Sequence, residues 1–241
     1  SVLLSRPHFG VGSDGLVLIL PSDKADFRMR MFNADGSEGK MCGNASRCIG
    51  KYVYERRLTG KTDLTLETLS GIRTLHLSVR DGKVEQVSVG MGAAQVTAVG
   101  DVLNAAGKDW RYTSVSVGNP HCVIFCKNVE EMDIASPGRL IENHPNFPGR
   151  TNVEFAQVLD PSHIRMRVWE RGSGETLACG TGACATAAAA AANGLCGKDV
   201  TVLLRGGPLQ IQLGEEITMT GPAAFVFDGE FREEDLYAEN Q

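Results

Sequence analysis

The chain has 241 residues, of which 42% are hydrophobic and 22% charged, and its formal net charge is −5. This composition is that of an ordinary globular protein, and the near balance of charge argues against binding nucleic acid or membranes through bulk electrostatics. Its seven cysteines include no C-x-x-C pair, which argues against a zinc site or a secreted disulfide framework. We therefore expect no metal, no membrane-spanning segment and a cytoplasmic location.

In the first half, two strands precede a single helix and three strands follow it. Strict alternation gives way to helical spacing after Asn44, which predicts a helix over 45–57 that ends near Gly60. Ser-Gly and Asp-Gly turns separate the later strands. The predicted strands of this half lie at 17–20, 27–32, 63–68, 72–80 and 84–90.

The second half repeats this order, with a helix predicted at 182–193 and closed by Asn193 and Gly194. A last strand at 225–227 lies beyond the repeated set, and by symmetry we expect it to cross back to the first half. The run at 143–149 is typical of a surface loop. The other predicted strands lie at 113–117, 121–126, 153–158, 163–170, 200–204, 208–213 and 216–220.

These elements predict an α+β fold of two pseudo-symmetric domains, each a β-sheet wrapped around a central helix. With a hinge near 91–94, the domains are 1–93, joined by a C-terminal strand at 223–241, and 94–222. The second helix is almost entirely alanine. This composition reflects either high helix propensity or a helix that a tight sheet surrounds on every side, where only small side chains fit.

Two segments are built alike: GSEGKMCGNASRC around Cys42 and GSGETLACGTGAC around Cys179. They align at an offset of 137 residues. The matched pairs are Glu38 with Glu175, Cys42 with Cys179, Gly43 with Gly180, and Asn44 with Thr181. One thiol in each half suits a two-base proton transfer, because inverting a carbon centre requires a base on one face and an acid on the other.

The location of each cysteine has electrostatic consequences. Asn44 and Thr181 are good N-cap residues, which places each thiol two positions before a helix. The helix N-terminus should lower the pKa of each thiol and let backbone N–H groups bind a substrate carboxylate, with Gly43 and Gly180 allowing close approach. Structural thiols, or a disulfide or metal role for the pair, are the alternatives, and a disulfide or metal role leaves the glycines and caps unexplained.

Four motifs carry a family resemblance. They are FNADGSEGKMCGNASRC at 32–48, VGNPHCV at 117–123, RTNVEF at 150–155 and WERGSGETLACGTGAC at 169–184. Together they closely resemble the bacterial and plant diaminopimelate epimerases, from about Arg6 to Gly229. This resemblance implies a cofactor-independent enzyme that interconverts LL- and meso-2,6-diaminopimelate on the route to lysine and peptidoglycan.

The resemblance also implies roles for individual residues. Cys42 and Cys179 match the thiolate base and thiol acid, and His121 and Glu170 match an auxiliary pair that helps to set their protonation. The family's residues whose backbone binds the α-carboxylate are matched here by Gly43, Asn44, Gly180 and Thr181. The family's residues that recognise the distal amino-acid group are matched here by Asn33, Asn119, Asn152, Glu170 and Arg171. Taken singly, Asn33 and Asn119 also suit turns, His121 suits a core histidine, and Glu170-Arg171 suits an exposed strand end.

Two features of the family pattern have no match here. The family begins with a Gly-Asn-Asp segment whose asparagine contacts substrate, and nothing before Arg6 corresponds to it. A protein that started at Ser1 is therefore expected to lack one wall of its site. Gly15 also stands where the family often has glutamine, so that contact is not carried over.

A two-cysteine proline or hydroxyproline racemase is the runner-up interpretation, and a noncatalytic amino-acid-binding module is the alternative from another class. Asn44 and the pair Glu170-Arg171 replace the His and Asp-Arg typical of those racemases, which favours diaminopimelate. A phenazine-pathway isomerase is disfavoured because its acid is a carboxylate. The expected partner is the small-molecule substrate, with a homodimer as one assembly to test.

Overall fold

The computed structural model describes residues 1–232 and divides the chain into two compact units. The first comprises Ser1–Val89 and the chain from Pro222 onward, and the second comprises Gly90–Gly221. The domain ranges 1–93 and 94–222 stay predictions. Within the described residues, no helix is long and apolar enough to span a membrane.

The first unit is a sheet with one main helix. Its strands are ordered β1-β2-β4-β5-β6, with β3 beside β2, and only β2 and β4 pair in parallel. The elements are α1 (Val2–Ser5), β1 (Gly15–Leu20), β2 (Phe27–Asn33), β3 (Glu38–Gly39), α2 (Gly43–Glu55), β4 (Asp63–Thr68), β5 (Gly71–Arg80) and β6 (Lys83–Gly92).

Helix α2 is amphipathic and packs closely on this sheet. Its buried face includes Ile49, Gly50 and Val53. A methyl group on Gly50 would lie 2.8 Å from a side-chain carbon of Leu77 in β5, so glycine is what lets the helix approach the sheet.

The second unit is a larger sheet ordered β15-β14-β13-β11-β10-β9-β8-β7, with β12 beside β11. Its pairs are antiparallel except β9 with β10 and β11 with β13. The elements are β7 (Gln95–Ala105), β8 (Lys108–Ser116), β9 (Pro120–Phe125), α3 (Ala135–Glu142), β10 (Asn152–Asp160), β11 (His163–Glu170), β12 (Gly174–Thr176), α4 (Gly180–Ala192), β13 (Asp199–Leu204), β14 (Gly207–Gln212) and β15 (Ile217–Gly221).

Helix α4 is surrounded by its sheet. Every residue from Gly182 to Ala190 is buried, and the helix contacts eight strands, β7–β11 and β13–β15. A helix with no solvent-facing side needs small side chains all round, because larger ones would hold the strands away. The interpretation of the alanine run as a sheet-wrapped helix is therefore confirmed, as is the α+β fold class.

The two units repeat one another in detail. Helices α2 and α4 each have 13 residues, and each begins directly after its motif cysteine. The parallel pairing of β2 with β4 has its counterpart in that of β11 with β13.

Some elements differ from the sequence expectations. Strand β7 was not predicted, because bulges between Val96 and Ala98 and between Val99 and Asp101 break its alternation. Helix α3 was also not predicted, because Pro137 and Gly138 lie within its eight residues.

The strand expected at 225–227 is wrong, since residues 222–232 contain no regular strand. Instead, Phe225 packs on Tyr52 of α2, with 6.1 Å between ring centroids, and Val226 is 88% exposed. This aromatic contact with a helix takes the place of strand pairing. The remainder of the predicted strand, 233–241, lies outside the described residues.

The packing of α4 gives a stability prediction. Ala187→Leu should lower the free energy of unfolding by about 1–3 kcal/mol, because Ala187 is fully buried and extra methylenes overpack a dense core. Ala192→Leu, on the exposed last position of the same helix, is the matched control and should change it by less than about 0.5 kcal/mol. Urea denaturation measures both, and equal effects would contradict the close packing of α4.

Candidate active site

Each motif cysteine is itself the N-cap of a helix. Cys42 has φ −139° and ψ 120°, and its sulfur accepts a hydrogen bond from the N–H of Ala45 at 3.5 Å. Cys179 has φ −130° and ψ 111°, and its sulfur accepts from the N–H of Gly182 at 3.3 Å. The two caps therefore share one local geometry.

The expectation that Asn44 and Thr181 are the caps is wrong. Both lie at the second helical position, because a cysteine sulfur takes the capping role that Ser, Thr, Asp or Asn usually fills. The capping bonds leave the first two amides of each helix outside the helical ladder. These are the N–H groups of Gly43 and Asn44 in α2 and of Gly180 and Thr181 in α4.

A paired arginine and glutamate precede each cysteine. Arg30 and Glu38 join β2 to β3 through two hydrogen bonds of 2.8 and 3.2 Å. Arg167 and Glu175 join β11 to β12 in the same way, at 2.8 and 3.0 Å. Bidentate guanidinium–carboxylate pairs fix geometry well, so both helices start from a constrained hairpin.

In the first unit, the structure places Gly43 and Asn44 at the start of α2 beside Cys42. Asn33 lies at the end of β2, where its side-chain amide donates to Ser37 Oγ at 2.9 Å and its carbonyl accepts from Gly36 N at 2.9 Å. The side chain of Asn33 is therefore part of the turn between β2 and β3.

In the second unit, a chain of hydrogen bonds leads from a buried carboxylate to Cys179. Glu154 Oε1 lies 2.7 Å from His121 Nδ1, and His121 Nε2 lies 3.1 Å from Asn119 Oδ1. Asn119 Nδ2 donates to Thr181 Oγ1 at 3.3 Å, and that hydroxyl lies 3.5 Å from Cys179 Sγ. Two predicted site residues, Asn119 and His121, are thus connected to the second cysteine.

The electrostatics around Cys179 correct one expectation. Burial raises the pKa of the Cys179 thiol well above its usual range, and the carboxylates of Glu170 and Glu154 raise it further. Hydrogen bonds from Thr181 and Gly182 N oppose this rise without overcoming it. The expected lowering of this thiol's pKa is therefore wrong, because burial and nearby negative charge outweigh the helix N-terminus.

Glu170 lies at the end of β11 and contacts the same cysteine. Burial raises the pKa of its carboxyl, while hydrogen bonds with Thr176 and Cys179 act in the opposite direction. Its Oε1 accepts from Thr176 Oγ1 of β12. Glu170 is therefore held against Cys179 in a partly desolvated setting.

The turn after β11 carries Arg171, which Asn152 supports. Asn152 is buried; its Oδ1 accepts from Arg171 N at 3.0 Å and its Nδ2 donates to Pro120 O at 2.9 Å. The Arg171 guanidinium is exposed and donates to Gly149 O at 3.1 Å. Asn152 therefore fixes the backbone of this turn.

Sequence reasoning missed two buried carboxylates. Glu142 accepts hydrogen bonds from Trp169 Nε1 and Gly172 N, both at 2.8 Å, and so holds the turn at Arg171. Glu154 lies within the motif RTNVEF but received no role. Glu154 could have been noticed in the sequence as a charged residue inside the apolar run V-E-F-A. Glu142 could not, because it lies at the end of a helix that was not predicted.

Comparison with known proteins identifies the family. A sequence model described as diaminopimelate epimerase matches residues 2–97 and 113–226. The chain belongs to the diaminopimelate epimerase family. The family assignment made from the four motifs, which makes this chain an isomerase of the racemase and epimerase class, is therefore confirmed.

Curated relatives from this family match most of the chain. A diaminopimelate epimerase of Methanococcus maripaludis is 50% identical over 245 aligned positions, which cover 95% of this chain and 88% of the relative. One from Phocaeicola vulgatus is 53% identical over 240 positions, covering 94% and 86% respectively.

Solved structures show the same fold at low sequence identity. A hydroxyproline epimerase from Agrobacterium vitis matches with a TM-score of 0.75 at 18% identity, over 91% of this chain and 75% of that one. A phenazine biosynthesis protein of the PhzF family from Bacillus anthracis matches with a TM-score of 0.70 at 20% identity, over 88% and 82%. These similarities concern the fold alone.

Gly182 gives a prediction about the second half-site. A methyl group on Gly182 would lie 2.8 Å from Glu154 Oε1 and 3.2 Å from Cys179 Sγ. Gly182→Ala should therefore lower turnover and cost about 1–3 kcal/mol of stability through overpacking. Gly197→Ala, where nothing lies within 4 Å, is the control and should leave both unchanged. A fully active and stable Gly182→Ala protein would contradict this packing.

Proposed function

We propose that this protein interconverts LL- and meso-2,6-diaminopimelate by two-base proton transfer at the α-carbon, without pyridoxal phosphate. The observation that carries the proposal is the matched pair of cysteine-capped helices in a chain of this family. The relatives that share about half of its residues are diaminopimelate epimerases. Within this proposal, the enzyme supplies lysine and peptidoglycan precursors in the cytoplasm and acts on a free small molecule.

The two thiols take complementary roles in this mechanism. One cysteine removes the α-proton as a thiolate, and the other delivers a proton to the opposite face as a thiol. The raised pKa of Cys179 favours its protonated form in the resting protein. For a substrate that binds the resting protein, Cys179 is therefore assigned as the acid and Cys42 as the base. The roles exchange in the reverse direction.

Helix N-termini supply the binding energy for the α-carboxylate. The amides of Gly43, Asn44, Gly180 and Thr181 lie outside the helical ladders and carry the partial positive charge of the helix ends. A carboxylate bound there also draws electron density from the α-carbon, which makes its proton easier to remove.

The remaining residues are assigned to acid–base support and to specificity. His121 and Glu170 support the protonation cycle of Cys179, because both lie within its network of hydrogen bonds and charges. Asn33, Asn119, Asn152, Glu170 and Arg171 are assigned to the distal amino-acid group. Since the Asn152 side chain is occupied by backbone partners, it acts by placing Arg171.

The function is tested with variants of each motif cysteine. Wild-type protein should convert LL- to meso-diaminopimelate without added cofactor. Cys42→Ser and Cys179→Ser should each lower the rate by at least about 100-fold, since a hydroxyl is a far weaker acid and its conjugate base is scarcely populated. Chiral chromatography of the two isomers measures the rate.

The serine variants separate chemistry from structure. A hydroxyl can still cap each helix, whereas Cys→Ala also removes the cap at a cost of about 0.5–2 kcal/mol. Cys196→Ala, a partly buried cysteine outside both motifs, is the control and should keep full activity. Full epimerisation by either serine variant, or turnover of proline or hydroxyproline in place of diaminopimelate, would overturn the assignment. A protein that binds substrate without exchanging its α-proton would instead be a binding module.

A further inference from the structure

Glu154 is a fully buried carboxylate within the second unit. Its exposed fraction and that of His121 are both 0%, and the two side chains are 2.7 Å apart. Among the described residues, its second oxygen, Oε2, is buried and has no hydrogen-bond partner. Burying an ionised carboxylate is costly, so its presence needs a reason that outweighs this cost.

The repeat shows that the scaffold itself does not need a carboxylate at this position. Glu154 pairs with Val168 in β10 and β11, and Val17 pairs with Met31 in β1 and β2. Val17 and Glu154 are 137 residues apart, as are Met31 and Val168, so Val17 is the counterpart of Glu154 in the first unit. Val17 is 37% exposed whereas Glu154 is fully buried, so the second unit buries a carboxylate at a position where the strand pairing itself does not require one.

The contacts of His121 place an acceptor oxygen beside each of its ring nitrogens. One ring nitrogen faces the Glu154 carboxylate, which can only accept, and the other faces Asn119 Oδ1 at 3.1 Å. With Glu154 ionised, this arrangement is satisfied when both ring nitrogens donate, and an imidazolium there balances the buried carboxylate.

This arrangement also orients the hydroxyl next to Cys179. Because Asn119 Oδ1 faces the histidine, its Nδ2 faces Thr181 Oγ1 at 3.3 Å and donates to it. The Thr181 hydroxyl proton is then available to Cys179 Sγ, 3.5 Å away, where it stabilises the thiolate left when Cys179 has given up its proton as the acid.

If His121 lost one proton, Asn119 could turn its amide over and accept from Thr181. The thiol of Cys179 would then donate to Thr181 Oγ1.

We propose that Glu154 is a positioning residue that keeps His121 doubly protonated and, through Asn119 and Thr181, aims a hydroxyl donor at the Cys179 sulfur. Its part in catalysis rests on the proposed function. Other titratable groups also face this region: His121 and Cys122 on β9, Glu170 on β11 and Cys179 on α4. Of these, His121 is the one hydrogen-bonded to Glu154.

The direct test compares wild type with Glu154→Gln, which keeps the side-chain shape and removes the charge. Histidine ¹⁵N NMR at pH 7.5 should show both His121 nitrogens protonated in wild type and one of them unprotonated in Glu154→Gln. The signals are assigned by their loss in His121→Gln. Asp160→Asn, an exposed carboxylate on the same strand, is the matched control and should leave the His121 signals unchanged.

Kinetics provide a second readout. Glu154→Gln should lower kcat at least about tenfold, because general acid–base catalysis contributes about 10²–10⁴. KM should change by less than about twofold, since a fully buried side chain makes no uniform contribution to substrate binding. A purely structural role would instead lower the amount of folded protein and leave kcat per folded molecule unchanged.

Identical His121 protonation in wild type and Glu154→Gln would overturn the proposal, as would an unchanged kcat. If Glu154→Gln does not fold, Glu154→Val replaces it, since valine occupies the equivalent strand position in the first unit. The wild-type spectrum is itself decisive, because a singly protonated His121 at pH 7.5 contradicts the proposal. If wild-type protein fails to epimerise diaminopimelate, the proposed function is rejected while the NMR comparison still decides the role of Glu154.

Discussion

The hydrogen bond from a helix amide to a cysteine sulfur is the constraint on which the rest of the structure depends. It occurs twice, at Cys42 and Cys179, with nearly the same backbone angles. Because the sulfur accepts a hydrogen bond from a backbone amide, the cysteine side chain is held in one position at the start of the helix. The following glycine and its neighbour then present amides that lie outside the helical ladder, and the thiol and a carboxylate cradle come from one turn of chain.

The two units share this turn but differ in what surrounds it. In the first unit, Val17 and Asn33 occupy the positions that Glu154 and Glu170 occupy in the second. The second unit therefore places two carboxylates near its thiol, and burial together with these carboxylates raises the pKa of that thiol. A two-base mechanism needs one acid and one base at a time, and this difference in charge breaks the symmetry of the repeat.

The sequence predicted the positions of most strands of the repeat along the chain, because its turns and alternation are regular. It placed the helix starts two residues late, at 45 and 182 against 43 and 180, because cysteine is not a usual N-cap residue. Strand β7 was not predicted, because two bulges place its exposed valines at every third position and not at alternate positions. Neither error affected the identification of the motif cysteines.

Site residues were predictable to the extent that a motif repeats or a family pattern names them. Cys42 and Cys179 follow from the duplication itself. Glu154 does not, because its role depends on a contact with His121, 33 residues away, that a single sequence does not reveal. The pKa of Cys179 was likewise inaccessible, since the helix end suggests one direction and burial, which only the fold shows, imposes the other.

The fate of the transferred hydrogen tests the central claim most directly. LL-diaminopimelate is incubated with the full-length protein in deuterated water, and early in the reaction both isomers are separated and analysed by mass spectrometry. Two bases predict that the meso product carries solvent deuterium at the inverted carbon while the remaining LL substrate is still largely unlabelled. A product that retains the substrate hydrogen would show that one group handles both faces, and would contradict the two-cysteine account.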